Sequence, residues 1–325
     1  MISFQDISVV VQGPITEFTA RTLQSVRAVL PTAELILSTW DGSDLIGLDY
    51  DVIVLSDDPG GYEFCLDCGQ LYNVNRLIVS TLEGTKKASK HYVLKLRSDM
   101  ELKNSDFLHY FGQYPSRTQY SFLDQKILIG NIYTRNPRFH DIKMLFHIGD
   151  FFYFGQKKDL LTVFDIQLAS MEIASYFKTH KPLSIFNTKI FCKYFPEQFI
   201  WLSFIQKFYE ADIFHPFYSN KELLNLNDII LVSNTVLLDL EKSGIESFKY
   251  PFATVSKSDL YSHVDYLYLY NKICNNSIHF RSFFPYALKK TFYTLKIMYH
   301  LQKYPERMIR HLTKQKLNPM KDKLQ

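Results

Sequence analysis

Apolar residues fall in short runs along the first hundred positions, separated by amphipathic stretches. Ile7-Ser8-Val9-Val10-Val11-Gln12 is almost continuously apolar, as in a parallel strand covered on both faces. It stops at the turn residues Gly13-Pro14. Thr16 is placed to cap a helix over 19–30, in which Leu23, Val26 and Leu30 are spaced i, i+3 and i+7 before Pro31 ends it. Residues 34–40 and 51–56 read as the second and third strands. A helical pattern runs from Leu71 through Val74, Ile78 and Leu82, and residues 92–97 form a fourth strand ending at Ser98-Asp99. This alternation predicts an open α/β sheet with right-handed crossovers.

Beyond residue 100 the pattern weakens. Residues 150–155 read as another buried strand, 199–208 as an aromatic-rich helix and 228–232 as a late strand. No repeat or Gly/Ser linker interrupts the chain. A shift toward Tyr, Phe, Lys and Leu near residue 255 divides it into 1–254 and a helical region 255–325.

Composition narrows the class. With 46% apolar and 22% charged residues, the chain falls among globular proteins, not disordered or collagen-like ones. No stretch approaches the ~20 apolar residues of a membrane span, and residues 1–7 lack the marks of a signal peptide. Four cysteines make no disulfide framework, so the reducing cytosol is expected. Cys65-x-x-Cys68 has the spacing of half a zinc site or a redox pair, but no second CxxC accompanies it, and loop cysteines are expected.

Charge is uneven. From Pro285 to Gln325, 8 Lys and 2 Arg face one Glu and one Asp, a net of +8, against +4 for the whole chain; residues 1–284 therefore carry about −4. Leu288, Phe292, Leu295 and Tyr299 recur at helical spacing beside Lys289, Lys290, Lys296 and Lys303. Such a segment suits an anionic membrane surface. It equally suits a packed helix with a solvated basic face. Nucleic acid is not expected, because the basic residues belong to a tail and the rest is acidic.

The candidate chemistry lies at the strand ends, where open parallel sheets bind ligands. Gln12 and Gly13 follow the first strand, Trp40 and Asp41 the second, Asp57-Asp58-Pro59-Gly60 the third and Asp99 the fourth. The alternative is that turn residues there simply meet solvent. In the fourth strand Val93, Lys95, Arg97 and Asp99 share one face. Buried cations need an anionic partner, either protein carboxylates or a ligand's phosphates. Asp99 offers a hard oxygen to Mg²⁺ or Mn²⁺ shared with a diphosphate; an Arg–Asp pair at a turn is the other reading. Asn73, Asn75 and Arg76 open a helix, where anions are favoured, although Arg76 also fits a solvated surface.

Val10-Val11-Gln12-Gly13-Pro14, Leu37-Ser38-Thr39-Trp40, Ser56-Asp57-Asp58-Pro59-Gly60, Asn73-x-Asn75-Arg76 and Lys95-Leu96-Arg97-Ser98-Asp99 occur in that order. Together with Phe146-His147-Ile148-Gly149-Asp150-Phe151 and Glu197-Gln198, the set resembles the WavE lipopolysaccharide synthesis family over roughly residues 6–205. The resemblance implies a GT-A-like, Rossmann-type nucleotide-sugar fold, placed over 1–254; the basic helical extension over 255–325 follows from composition and carries no motif of the family. The resemblance further implies a glycosyltransferase acting from a nucleotide-sugar donor on a lipid-linked or lipopolysaccharide/capsule glycan acceptor. Such a protein would lie in the cytoplasm, peripheral at the anionic inner leaflet. In such folds an Asp-x-Asp motif ends the fourth strand and its last carboxylate holds the metal. Here Arg97-Ser98-Asp99 matches only at the last position, so Asp99 is the implied ligand for Mg²⁺ or Mn²⁺ and Arg97 a direct neutraliser of phosphate. Gln12, Gly13, Pro14 and Asp57 take the implied nucleoside contacts, with Asn75, Arg76 and Lys95 beside the phosphates.

Sugar transfer needs charge stabilisation on the departing diphosphate and, for inversion, a base for the acceptor hydroxyl. Glu197, following Pro196 at a predicted helix start, is the first candidate base, with ordinary dipole complementation as its alternative. Asp150 is the second, or else a ligand for sugar hydroxyls. His147 is expected to be structural. A sugar nucleotidyltransferase and a non-catalytic scaffold of polysaccharide assembly are the rival readings. The first lacks a Gly-rich basic loop; the second draws on the incomplete Asp-x-Asp pattern.

Overall fold

The computed structural model describes residues 2–139, 143–180, 189–209, 219–248 and 259–317. The chain forms two compact units, residues 1–278 and 279–325. The first is built on a seven-stranded sheet of β1 (Ile7–Gln12), β2 (Glu34–Trp40), β3 (Val52–Ser56), β4 (Tyr92–Arg97), β5 (Ile127–Gly130), β6 (Phe152–Gln156) and β7 (Thr235–Leu238). The strand order is β7-β5-β6-β4-β1-β2-β3. All neighbours pair in parallel except β6, which runs against both β4 and β5. This is the open, mostly parallel α/β sheet that the alternation of apolar runs and amphipathic stretches predicts.

The apolar runs make the core. Val9, Val10, Val11, Leu35, Leu37, Val93, Leu94 and Leu96 are all fully buried, as strands covered on both faces require. Two helices, α1 (Thr19–Val29) and α2 (Val74–Lys87), pack beside them. On α2, a Cβ at Gly84 would lie 2.4 Å from Val10 Cγ1 and 3.0 Å from Ser38 Cβ, so only glycine permits this approach of helix to sheet. The sequence pattern starts α2 at Leu71, but Leu71–Tyr72 instead pairs with Tyr62–Glu63 as a short hairpin and the helix begins at Val74. Cys65 and Cys68, within that hairpin, are joined as a disulfide in place of the expected loop thiols.

Downstream come α3 (Lys157–Phe164), α4 (Pro196–Gln206), α5 (Lys221–Asn234) and α6 (His263–Cys274). The strand predicted over 228–232 is not formed: those residues lie in α5, and the strand follows at Thr235. Asn220 caps α5 by accepting from the Leu223 amide at 2.8 Å. Asn227, Asp228, Ile230, Leu231, Val232 and Ser233 are all buried. A helix covered on several sides shows no polar stripe, and its apolar run is then indistinguishable from a strand.

The second unit is one helix, α7 (Phe280–Leu317), 38 residues long. Phe280, Phe284, Leu288, Phe292, Leu295 and Tyr299 are exposed along it. Among the described residues no helix is long and apolar enough to cross a membrane.

Candidate active site

The carboxyl ends of β1, β2 and β4 open into a cleft of about 810 Å³. Parallel pairing sets Gln12 beside Arg97 on one side and beside Ser38 on the other. Gly13 turns out of β1 at φ +121°, where a Cβ would approach Ser98 Oγ at 3.1 Å. Ser98 ties the two motifs together: its amide donates to the Gln12 carbonyl at 3.0 Å and its hydroxyl to the Pro14 carbonyl at 2.8 Å. Ser80 of α2 donates to Gln12 Oε1 at 2.6 Å. The Gln-Gly-Pro turn is thus fixed by β4 and α2.

Two arginines line the cleft, each locked by an aspartate. Arg97 donates through Nε and Nη2 to the two oxygens of Asp99 at 3.0 and 2.7 Å, and its guanidinium lies 4.5 Å from the Phe151 ring centre. Arg76 grips Asp58 in the same bidentate way at 2.7 and 2.6 Å and reaches Asn73 Oδ1 at 2.9 Å. Forked pairs of this kind fix the guanidinium plane. The Arg76 guanidinium holds the Asp58 carboxyl below its usual range.

Asp150 and Glu197 line the same cleft. Glu197 opens α4, and its carboxyl is pushed up to about 7, first by burial and then by the charge of Asp150; Arg97 and Arg135 pull the other way. His147, itself buried, places Nε2 at 3.6 Å from Glu197 Oε2, while its Nδ1 lies 2.9 Å from the Tyr133 carbonyl. With Nδ1 donating to that carbonyl, the neutral ring turns an unprotonated Nε2, an acceptor, toward the Glu197 carboxyl.

Of the predicted residues, the fold brings Gln12, Gly13, Pro14, Arg76, Arg97, Asp99, Asp150 and Glu197 to this one cleft. Three stand elsewhere. Lys95 is fully buried beneath it and donates to the main-chain carbonyl of Asp150; burial pushes its ammonium down to about 8. Asn75 is buried and exchanges two hydrogen bonds with the Ala169 backbone, at 3.0 and 2.7 Å. Asp57 is not among the lining residues, whereas its neighbour Asp58 is. Tyr133, stacked on Phe151 at 5.5 Å with a positive φ of 55°, belongs to no motif, and its place in the lining has no sequence signal. The pairing of His147 with Glu197 joins residues 50 positions apart and leaves no local trace either.

The donor set does not amount to a protein-built cation site. Both oxygens of Asp99 are taken by a guanidinium, and among the described residues no group of three or more His, Cys, Asp or Glu is placed to hold an ion.

The sequence model of the WavE lipopolysaccharide synthesis family matches residues 7–305, well past the last motif at Glu197-Gln198. No curated protein matches the chain. Among solved structures, that of an active-site mutant of LgtC is similar over 76% of this chain and 88% of that one, with 10% identity and a TM-score of 0.38.

Proposed function

The chain belongs to the WavE lipopolysaccharide synthesis family, and from that premise we propose that it is a nucleotide-sugar-dependent glycosyltransferase acting on a lipid-linked or lipopolysaccharide-core glycan. The observation that carries the reading is the cleft itself. Two aspartate-locked arginines and two carboxyl groups, one of them poised near neutrality, line the same space of about 810 Å³.

In this reading Arg76 and Arg97 bind the donor diphosphate and neutralise the charge that develops as the sugar–phosphate bond breaks. Because Asp58 and Asp99 already hold both guanidinium planes, little reorganisation is needed during the reaction. The Gln12-Gly13-Pro14 turn contacts the nucleoside. Glu197, once ionised, accepts the proton of the acceptor hydroxyl as its oxygen attacks the anomeric carbon. Asp150 keeps Glu197 basic and receives sugar hydroxyls, while Lys95 fixes the Asp150 backbone from below. No step is assigned to a metal ion. Incubating the protein with individual nucleotide sugars and a truncated lipopolysaccharide acceptor tests this: acceptor-dependent release of nucleoside diphosphate is expected. Release of pyrophosphate from a nucleoside triphosphate instead would identify a nucleotidyltransferase.

We further assign the enzyme to the cytoplasmic leaflet, with α7 lying against anionic lipid. The exposed Phe284, Leu288, Phe292 and Leu295 supply the apolar face, and Lys289, Lys290 and Lys296 the charge. Each lysine near such a surface contributes about 1 kcal/mol. Replacing all three by alanine is therefore expected to weaken binding to phosphatidylglycerol-containing vesicles about 100-fold, as read by co-sedimentation. Equal binding to neutral and anionic vesicles would remove this assignment.

A further inference from the structure

At the other, amino end of β5 lies a second cavity, of about 210 Å³, lined in part by Tyr114, Arg117, Asp124, Gln125 and Lys126. It is separate from the cleft. Lys126 immediately precedes β5, whereas Tyr133, which lines the cleft, follows it.

Lys126 is 7% exposed. Its ammonium donates to the Ser116 carbonyl at 2.7 Å and lies 4.4 Å from the centre of the Tyr270 ring. An ammonium has three donors, and among the described residues no carboxylate forms an ion pair with this one. Burial pushes it down to about 8, and the charge of neighbouring Arg117 acts in the same direction. Arg117, half-buried, is only partly compensated, by the charge of exposed Asp124 nearby. Its Nη1 donates to the Asp124 carbonyl at 2.6 Å and its Nη2 to the Leu123 carbonyl, both neutral acceptors, and its Nε is buried with no partner. The hydrogen bonds of the nearby carboxylates go to other groups. Asp124 pairs with Lys158 at the surface, and Asp159 accepts from the Asp124 and Gln125 amides at 2.8 and 3.1 Å.

A buried ammonium with no carboxylate partner, beside a guanidinium whose Nε is buried and unpaired, is costly. An oxyanion supplies acceptors for the spare Lys126 donors and the orphaned Arg117 Nε together. We propose that this cavity binds a phosphate group, with Lys126 and Arg117 as its ligands, in addition to the donor diphosphate of the cleft. The chemistry is shared by inorganic phosphate and small phosphomonoesters.

The full-length protein should be titrated with inorganic phosphate and, separately, with glycerol 3-phosphate, using chloride at matched ionic strength as the control and melting temperature as the readout. A saturable rise is expected, with half-saturation shifted at least tenfold in Lys126→Met; whichever ligand saturates first identifies the source. Methionine matches the stem of lysine without burying a charge, so the variant should remain folded. Arg117→Gln should show the same shift and decides the matter if Lys126→Met does not fold. No saturable response in the wild-type protein, or an undiminished response in the folded variants, overturns the proposal.

Discussion

Arg97→Ala is expected to lower kcat/KM for sugar transfer by 10² to 10³-fold, roughly the cost of deleting one preorganised charge-stabilising donor from a transition state. The position lies at the end of β4, where Arg97 binds Asp99 in a fork and rests on Phe151. Removing it also strands the carboxylate of Asp99, a residue only 8% exposed, and an orphaned buried charge can cost several kcal/mol of stability. The double variant Arg97→Ala/Asp99→Asn separates the two effects. If Arg97 acts on the donor phosphate, the double variant regains melting temperature but not activity. If Arg97 serves only to hold the strand end, activity returns with stability. Arg97→Lys keeps the charge but loses the planar fork, so it should fall between wild type and alanine in steady-state assays.

Glu197→Gln should lower kcat by 10² to 10⁴-fold, the usual contribution of a positioned general base, while leaving the donor KM nearly unchanged. The base is active when ionised. Because burial and Asp150 push its carboxyl up to about 7, wild-type kcat/KM should rise with pH through about 7 and level off above it. That limb should vanish in Glu197→Gln. Stability moves the opposite way. A carboxyl raised above its unfolded value stabilises the fold when protonated, and this contribution is lost as pH rises through about 7. Above pH 7 the glutamine variant should therefore melt higher than wild type, as it is spared burying the ionised group. A residue that served only as a helix-start carboxylate would lose stability on substitution and show no such pH limb.

The first four strands are legible in the sequence because each is an apolar run closed by turn residues, and all but the edge strand β3 are covered on both faces. The grouping of their polar ends follows from parallel topology alone, which is why Gln12, Gly13, Pro14, Arg97 and Asp99 fall together. Legibility ends where a partner is set by tertiary structure. Lys95 sits on the right strand face, but the partner it finds is a neutral main-chain carbonyl contributed from residue 150. Asn75 has the composition of an anion-binding helix start, yet its amide is consumed by the Ala169 backbone. Asp57 and Asp58 are equivalent as a turn pair, and only the reach of Arg76 separates them. The helix read as a strand over 228–232 fails for a different reason: burial on several faces erases the amphipathic stripe that would identify it.

Donor binding at the arginine-lined cleft is tested most directly by melting-temperature shifts with a panel of nucleotide sugars, for wild type and Arg97→Ala/Asp99→Asn, in EDTA and in Mg²⁺ or Mn²⁺. At least one nucleotide sugar should raise the wild-type melting temperature, in EDTA as well as with metal, because Asp99 is already committed to Arg97. The same ligand should leave the double variant unshifted. A panel without any shift, or an equal shift in the double variant, would contradict the assignment of this cleft to the donor.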